Sequence, residues 1–255
     1  MRVLVVLPTF NEAATIENIL DRVRKALPDA SVLVVDDNSP DGTAKVAAEV
    51  GERFGSVDIL SRPGKLGLGS AYRDGFRWGL ERGYEAMVEM DSDFSHDPDA
   101  LPAVVAPLGE GFEVCIGSRY VPGGSIPNWS LPRRLLSRGG NIYADLVLGL
   151  GVRDSTAGFR AYAATVLRRI DLGSVRAESY GFQIEMTYRA IGVGAKVREV
   201  PIRFVDRELG TSKMSTYTVV EALALVTWWG AKRAAGRLRG GGRMALAAAR
   251  PRSSR

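Results

Sequence analysis

Short apolar runs alternate with amphipathic segments throughout the first 120 residues, and this pattern most constrains the fold. The runs are rich in Val, Ile and Leu, and the segments after them repeat apolar residues at helical spacing. We predict strands over residues 3–7, 32–35, 57–60, 86–90 and 114–117, with helices over residues 13–26, 43–53 and 69–82. Repeated strand–helix units form a mostly parallel sheet with helices on both faces, so the sequence predicts an α/β fold.

The pattern changes after residue 120, but no linker separates two domains. We predict helices over residues 133–148 and 185–191, a strand or hairpin within residues 197–205, and a polar loop over residues 206–214. A last amphipathic helix is predicted over residues 216–238, ended by the glycines at 240–242. The chain therefore divides into a main domain (residues 1–214), an amphipathic helix (215–239) and a basic flexible tail (240–255).

The positive charge of the chain is concentrated near its end. Residues 232–255 contain eight basic residues and no acid, so residues 1–231 carry a net charge of −3 within a total of +5. A mildly acidic body argues against a nucleic-acid-binding protein. The single cysteine, Cys115, excludes an internal disulfide, and we expect no signal peptide. We also expect no membrane span, because Glu221 interrupts the apolar stretch over residues 218–231.

Polar side chains follow three of the predicted strands at the point where each strand ends. The segments are PTFNE after the first strand, DDNSPDG after the second and DSDFSHDP after the fourth. The carboxyl ends of parallel strands lie along one edge of a sheet, where ligands bind in such folds. We therefore expect these remote segments to converge, although Asp, Asn, Pro and Gly are also ordinary loop residues.

The pair Asp91 and Asp93 is the strongest local signal for a metal site. Two carboxylates at a strand end can share a hard divalent cation such as Mg²⁺ or Mn²⁺. The alternative is a solvated turn or a helix cap before Pro98. An acid at the end of the second strand, as at Asp37, commonly meets a ribose or a base. The chain has neither GxGxxG nor GxxxxGK[ST], which disfavours dinucleotide dehydrogenases and P-loop enzymes.

Eight strings together make the resemblance specific over about residues 3–230: VVLPTFNEAATI, VVDDNSPDGT, RPGKLGLGSAYRDGF, MDSDFSHDP, IGSRYVPGG, DSTAGFRAY, YGFQIEM and RELGTSKMS. In this order they resemble the dolichol-phosphate mannosyltransferases, the family 2 glycosyltransferases that make polyprenyl-phosphate mannose. The resemblance implies the GT-A fold, a nucleotide-sugar-binding α/β architecture. It also implies transfer of mannose from GDP-mannose to a polyprenyl (dolichyl) monophosphate, with inversion at the anomeric carbon.

The resemblance also implies roles for particular residues. The catalytic set is Asp91, Asp93 and Arg119, and the metal set for Mg²⁺ or Mn²⁺ is Asp91, Asp93 and Ser95. The nucleotide-sugar set comprises Pro8, Phe10, Glu12, Val35, Asp37, Asp91, Ser92, Asp93, Arg119, Arg207 and Lys213. The acceptor-phosphate set comprises Arg119, Arg133, Ser137 and Lys213. Arg134 and Arg138 lie beside Arg133, which leaves that last assignment open.

The implied chemistry accounts for the few histidines in the chain. A phosphate monoester is already a nucleophile, so the reaction needs no dedicated general base. A chain with a single histidine, the commonest general base, is consistent with this chemistry. Cations that bind the phosphates are needed instead, and Arg binds phosphate with two parallel hydrogen bonds. Two other classes stay open: a sister family 2 enzyme that uses UDP-glucose or another nucleotide sugar, and a non-enzymatic adaptor with a basic tail.

The predicted last helix suggests how such an enzyme reaches a lipid acceptor. Trp228 and Trp229 suit a headgroup boundary, and the basic residues that follow attract anionic lipid. We expect peripheral attachment to the cytoplasmic face of the membrane, with an integral membrane protein as a further candidate partner and no nucleic acid. The alternative is a helix packed on the body of the protein, followed by a disordered tail.

Overall fold

The computed structural model describes residues 1–205 and 216–248. Arg207 and Lys213, in the predicted polar loop, lie outside the described residues, as does the end of the chain from residue 249. Within the described residues the fold is built on one seven-stranded sheet of order β3-β2-β1-β4-β6-β5-β7. The strands are β1 (Val3–Thr9), β2 (Ser31–Asp36), β3 (Val57–Ser61), β4 (Ala86–Glu89), β5 (Val114–Ser118), β6 (Arg160–Ala163) and β7 (Val197–Pro201).

The sheet is parallel except at β6, which pairs antiparallel with both β4 and β5. The five strands expected in the first 120 residues are confirmed, and the strand expected near 197–205 ends at Pro201. Sequence reasoning missed β6. Its four residues, RAYA, are too short and too polar to indicate a strand, and its pairing depends on distant segments.

Helices cover both faces of the sheet, as predicted. Val3, Val5 and Leu7 of β1 point into a core shared with α1, α2 and α4, whereas Leu4 and Val6 point into a core shared with α3, α5, α7 and α8. The helices are α1 (Ile16–Ala26), α2 (Thr43–Phe54), α3 (Leu68–Glu81), α4 (Leu101–Gly109), α5 (Leu131–Leu148), α6 (Ala164–Arg169), α7 (Ser179–Gly192) and α8 (Thr216–Ala248).

The last helix differs from the sequence prediction in its length. We expected it to end at the glycines 240–242, with a flexible tail from residue 240, but α8 continues to Ala248. Each glycine lowers helix stability by about 1 kcal/mol relative to alanine. The residues that follow, RMALAA, are strong helix formers and continue the helix beyond the glycines. The helix therefore does not end at the predicted glycines, and the division of the chain into a main domain, a helix and a tail stays a prediction.

Gly75 sets the distance between α3 and the sheet. A Cβ atom at this position would lie 2.5 Å from a methyl group of Val6, whereas a Cβ at Gly139 on α5 would meet nothing within 4 Å. We expect Gly75→Ala to lower the free energy of unfolding by about 1–3 kcal/mol through overpacking. Gly139→Ala should raise it by up to about 1 kcal/mol. Urea denaturation measures both, and a Gly75→Ala variant as stable as the parent chain would contradict this packing.

Candidate active site

The loops after β1, β2 and β4 meet at the carboxyl edge of the sheet, as expected. The Ser92 hydroxyl donates a hydrogen bond to the Pro8 carbonyl (3.1 Å), and the Thr15 hydroxyl donates to the Ser92 carbonyl (3.1 Å). The Thr9 hydroxyl donates to the Asp36 carboxylate at 2.8 Å, which fastens the first loop to the second. The convergence predicted from parallel topology is therefore confirmed.

The backbone in each of the three loops passes through the left-handed region. Asn11, Asn38 and Phe94 have φ angles of 61°, 58° and 61°. Asparagine tolerates this region, but a bulky residue such as Phe94 adopts it only where the surroundings impose it. Strain of this kind concentrates at functional sites. The loop that carries Asp91 and Asp93 is thus held in one conformation.

Asp37 is held by a buried arginine that sequence reasoning missed. Arg62 follows β3, and its Nε donates to Asp37 Oδ1 at 2.6 Å. The same guanidinium donates to the Ser70 hydroxyl and to Asp74 on α3. Asp37, the predicted nucleotide-binding acid, is therefore fixed in position by the residue that follows β3. At the same edge, the Lys65 ammonium lies 4.5 Å from the centre of the Phe10 ring.

Val35 does not lie on the surface of the site. It has no exposed area and packs in the core beneath α3. The Val35 side chain therefore points into the core one residue inside the end of β2, and a role of Val35 at the nucleotide site stays a prediction. Pro8, Phe10 and Glu12, in contrast, retain partial exposure at the edge.

Asp91 and Asp93 are each supported by a neighbouring hydroxyl. Tyr72 on α3 donates to Asp91 Oδ1 at 3.1 Å, and the Ser95 hydroxyl donates to Asp93 Oδ1. Burial and the nearby Asp91 carboxylate raise the pKa of Tyr72 well above its ordinary value, so its hydroxyl stays protonated and donates. Ser95 is buried behind Asp93, and its role as a metal ligand stays a prediction.

His96 is a buried support for Asp91. Its Nδ1 accepts a hydrogen bond from the Asp91 backbone N–H at 3.1 Å, so the neutral ring carries its proton on Nε2. The ring stacks on Phe159 and meets the edge of Phe204, with centroid distances of 5.1 and 5.6 Å. The His96 side chain therefore holds the loop through the backbone N–H of Asp91.

The donor set at this edge fits a hard divalent cation. Asp91 keeps about a quarter of its side chain exposed (27%), and both acids offer carboxylate oxygens, which Mg²⁺ and Mn²⁺ prefer. In residues 1–205 and 216–248, no three His, Cys, Asp or Glu side chains form a ready cage for a metal. A pair of carboxylates completed by water and substrate phosphates is the usual arrangement for Mg²⁺.

A buried polar cluster lies directly beneath the carboxylate pair. Glu89, at the end of β4, is fully buried, and burial raises its pKa to about 8. Arg160, its partner across the sheet, donates to the carbonyls of Ser155, Ala157 and Gln183. The cluster thus fastens residues 155–157 to α7. The Gln183 side chain is buried beside Glu89.

Arg119, at the end of β5, is fixed by Asp154. Its Nε and Nη2 donate to the two carboxylate oxygens of Asp154 at 2.8 and 2.7 Å, and its backbone N–H donates at 2.9 Å. Burial alone would raise the pKa of Asp154, but the Arg119 guanidinium outweighs it and lowers the pKa below the ordinary value. Nothing in the spacing of the sequence indicated this pair, which joins residues 35 positions apart.

The first turns of α5 bring the predicted acceptor residues to Arg119. Arg133 lies over the ring of Trp129, and the Ser137 hydroxyl accepts a hydrogen bond from Tyr120 at 2.7 Å. Arg134 instead donates to the backbone carbonyls of residues 126 and 127. Arg133 and Arg134 therefore have different partners, and the choice of Arg133 over Arg134 and Arg138 as the acceptor contact stays a prediction.

Comparison with known proteins identifies the family to which the chain is similar. The model of glycosyl transferase family 2 matches residues 4–171. An undecaprenyl-phosphate mannosyltransferase from Micrococcus luteus is 50% identical over 230 residues, which cover 90% of this chain and 94% of the relative.

Two solved structures are similar in fold. Glucosyl-3-phosphoglycerate synthase from Mycobacterium tuberculosis, in complex with Mn²⁺, UDP and glucosyl-3-phosphoglycerate, has a TM-score of 0.64 and 23% identity. That match covers 88% of this chain and 78% of the other. A mannosyltransferase from Pyrobaculum calidifontis, in complex with GDP-Man and Mn²⁺, has a TM-score of 0.55 and 17% identity over 98% of this chain and 76% of the other. These likenesses show the GT-A fold, and with the match over residues 4–171 they establish that the chain belongs to glycosyl transferase family 2.

Proposed function

We propose that this protein transfers mannose from GDP-mannose to a polyprenyl monophosphate. The observation that carries the proposal is the 50% identity to an undecaprenyl-phosphate mannosyltransferase over 94% of that relative's length. The site supports it, because a chain of contacts links the carboxylate pair to Arg119. His96 contacts Asp91 on one side and Phe204 on the other, and Arg119 lies 5.6 Å from the Phe204 ring.

Asp91 and Asp93 hold the donor end of the site in this proposal. A Mg²⁺ or Mn²⁺ ion bound there would stabilise the negative charge that develops on the departing nucleoside diphosphate. Tyr72 and Ser95 orient the two carboxylates through the hydrogen bonds described above. Phe10, Glu12 and Asp37 are placed at the same edge, where they bind the nucleoside, and Arg207 and Lys213 remain predicted phosphate contacts outside the described residues.

Arg119, Arg133 and Ser137 hold the acceptor end. A lipid monophosphate carries about −1.5 to −2 charges near neutral pH and attacks the anomeric carbon without a general base. Arginine binds such a phosphate with paired hydrogen bonds, which fix the attacking oxygen. Attack from the face opposite the diphosphate inverts the anomeric configuration.

The decisive experiment is transfer of labelled mannose into a lipid that extracts into butanol. We expect transfer from GDP-mannose with added polyprenyl monophosphate, and its loss with EDTA. Label from UDP-glucose in place of GDP-mannose would favour the sister family 2 function. Thermal stabilisation by GDP and by UDP, each with Mg²⁺ or Mn²⁺, compares the two bases directly. Stabilisation by neither would indicate a non-enzymatic adaptor.

Peripheral attachment to the cytoplasmic face of a membrane is part of the proposal. Eight of the ten large apolar side chains that are exposed in the described residues lie on two helices, α5 and α8. On α5 four of them form one stripe, at Leu131, Leu135, Ile142 and Leu146. The Tyr143 hydroxyl and the Thr227 hydroxyl lie 2.7 Å apart and join the two helices. Within the part of the chain that the structure describes, no helix has the length and apolar character needed to cross a bilayer.

The stripe gives a test of attachment. Replacing both Ile142 and Leu146 with Glu should lower binding to anionic liposomes about tenfold or more, because each apolar side chain loses its burial in the interface. Leu66→Glu is the matched control, since Leu66 and Ile142 are equally exposed (54%). Flotation with liposomes measures both variants. A truncation after Ala231 separately tests the basic residues. Unchanged flotation of the double variant would remove the α5 stripe from the attachment surface, and unchanged flotation of the truncated chain would remove the basic residues from it.

A further inference from the structure

Trp129 contacts the two arginines that are predicted to bind the acceptor phosphate. Its side chain is almost fully buried (6% exposed) in the loop that joins β5 to α5. The Arg133 guanidinium carbon lies 4.0 Å from the centre of its rings, and that of Arg119 lies 5.3 Å away. Both distances fall within the range of cation–π attraction. One indole ring therefore contacts both predicted phosphate-binding cations.

The two arginines differ in their distance from this ring and in the other contacts of Arg119. Arg119 has three hydrogen bonds to Asp154 and lies beside two more rings, Tyr120 at 5.5 Å and Phe204 at 5.6 Å. The Arg133 guanidinium lies closer to the Trp129 rings, at 4.0 Å, than that of Arg119 does, at 5.3 Å. Loss of the indole would therefore remove the closer cation–π contact, that of Arg133, while the three hydrogen bonds between Arg119 and Asp154 would remain.

The loop that carries Trp129 is itself fastened to α5. Arg134 donates hydrogen bonds to the carbonyls of Ile126 and Pro127 at 3.0 and 3.2 Å. Trp129 also meets Phe204 edge to face, with 5.7 Å between ring centres. These contacts hold the indole plane in one orientation, so that it forms a fixed platform beneath the Arg133 guanidinium.

We propose that Trp129 is a positioning residue for the acceptor: its indole ring holds the Arg133 guanidinium beside Arg119, so that one anionic phosphate monoester can contact both cations. This inference rests on the proposed function. A flexible arginine would lose side-chain entropy on binding phosphate, and a guanidinium already held on an aromatic face loses less. The expected consequence is tighter binding of the acceptor, with little effect on the donor.

The test compares Trp129→Phe and Trp129→Leu in the full chain. We expect the Leu variant to raise KM for polyprenyl monophosphate about tenfold, the effect of losing one partly buried cation–π contact. Its kcat and its KM for GDP-mannose should change less than about twofold, and the Phe variant should recover most of the acceptor affinity. Trp78→Leu is the matched control, because Arg82 lies 4.0 Å over Trp78 on α3. It should leave all three constants unchanged.

A binding measurement separates failure of this inference from failure of the proposed function. Calorimetry with a short-chain prenyl monophosphate, and with the corresponding alcohol as a blank, needs no transfer. Weaker binding by the Leu variant, restored by Phe, supports the inference even if no mannose is transferred. Equal binding by the Leu variant and the parent chain overturns the inference alone. Equal losses in the Phe and Leu variants would show that shape, and not the aromatic face, matters, and this too would overturn it. No binding by the parent chain overturns both.

Discussion

Asp91→Asn and Asp93→Asn should each lower the rate of mannose transfer about 10²- to 10³-fold. Each change removes a negative charge from the pair that would hold the divalent cation, and such a cation contributes several kcal/mol of charge stabilisation in the transition state. Both side chains keep their shape as amides, so the hydrogen bonds from Tyr72 and Ser95 can persist. The measurement is kcat for transfer at saturating Mg²⁺ or Mn²⁺.

A matched control lies in the same loop. Asp97 is exposed (49%) and pairs with Arg22 away from the carboxylate pair, so Asp97→Asn should change kcat less than about twofold. Thermal stabilisation by GDP with the metal should disappear in the Asp91 and Asp93 variants and persist in the Asp97 variant. Full transfer by either of the first two variants would refute the metal assignment.

The sequence allowed prediction of those features that local patterns determine. Each parallel strand is a short run such as VLVVL, and parallel topology alone requires the ends of β1, β2 and β4 to share an edge. The strand β6 was not predicted, because it begins with Arg160. An arginine can be buried at that position because carbonyl groups of other segments accept its hydrogen bonds. The glycines at 240–242 predicted a helix end that the structure does not have, because helix propensity is only a weak local preference.

The residues of the site likewise divide into those that a local pattern indicates and those whose role depends on distant partners. Asp91 and Asp93 stand together in sequence, so their spacing alone indicated a metal site. Arg62, Asp154 and Trp129 acquire their roles from partners that lie far away in sequence or on another element. No spacing of residue types records that Arg62 holds Asp37 or that Asp154 holds Arg119. The resemblance suggested Arg133 and Ser137, and the structure adds that Arg133 contacts Trp129 whereas Arg134 holds the backbone of the preceding loop.

Asp154→Asn is expected to be the most destabilising single change near the site. Asp154 is fully buried and neutralises Arg119, so its loss leaves a buried guanidinium without its charge partner. Breaking a buried pair in this way costs about 3–5 kcal/mol of the free energy of unfolding. Transfer should fall as well, because Arg119 loses the contacts that orient it. Urea denaturation and kcat measure the two effects.

The ion pair between Arg169 and Glu113 provides the control, since it has the same 2.7 Å separation but is partly exposed. Glu113→Gln should cost less than about 1 kcal/mol. The pH dependence adds a second check. Because the pKa of Asp154 is lowered in the folded chain, its contribution is complete above the ordinary value of 3.8 and is lost as the pH falls through the folded value. The stability difference between the parent chain and Asp154→Asn should therefore stay constant from about pH 5 to 8 and narrow below about pH 4. Equal costs for the two substitutions at pH 7 would show that burial does not strengthen the Arg119–Asp154 pair.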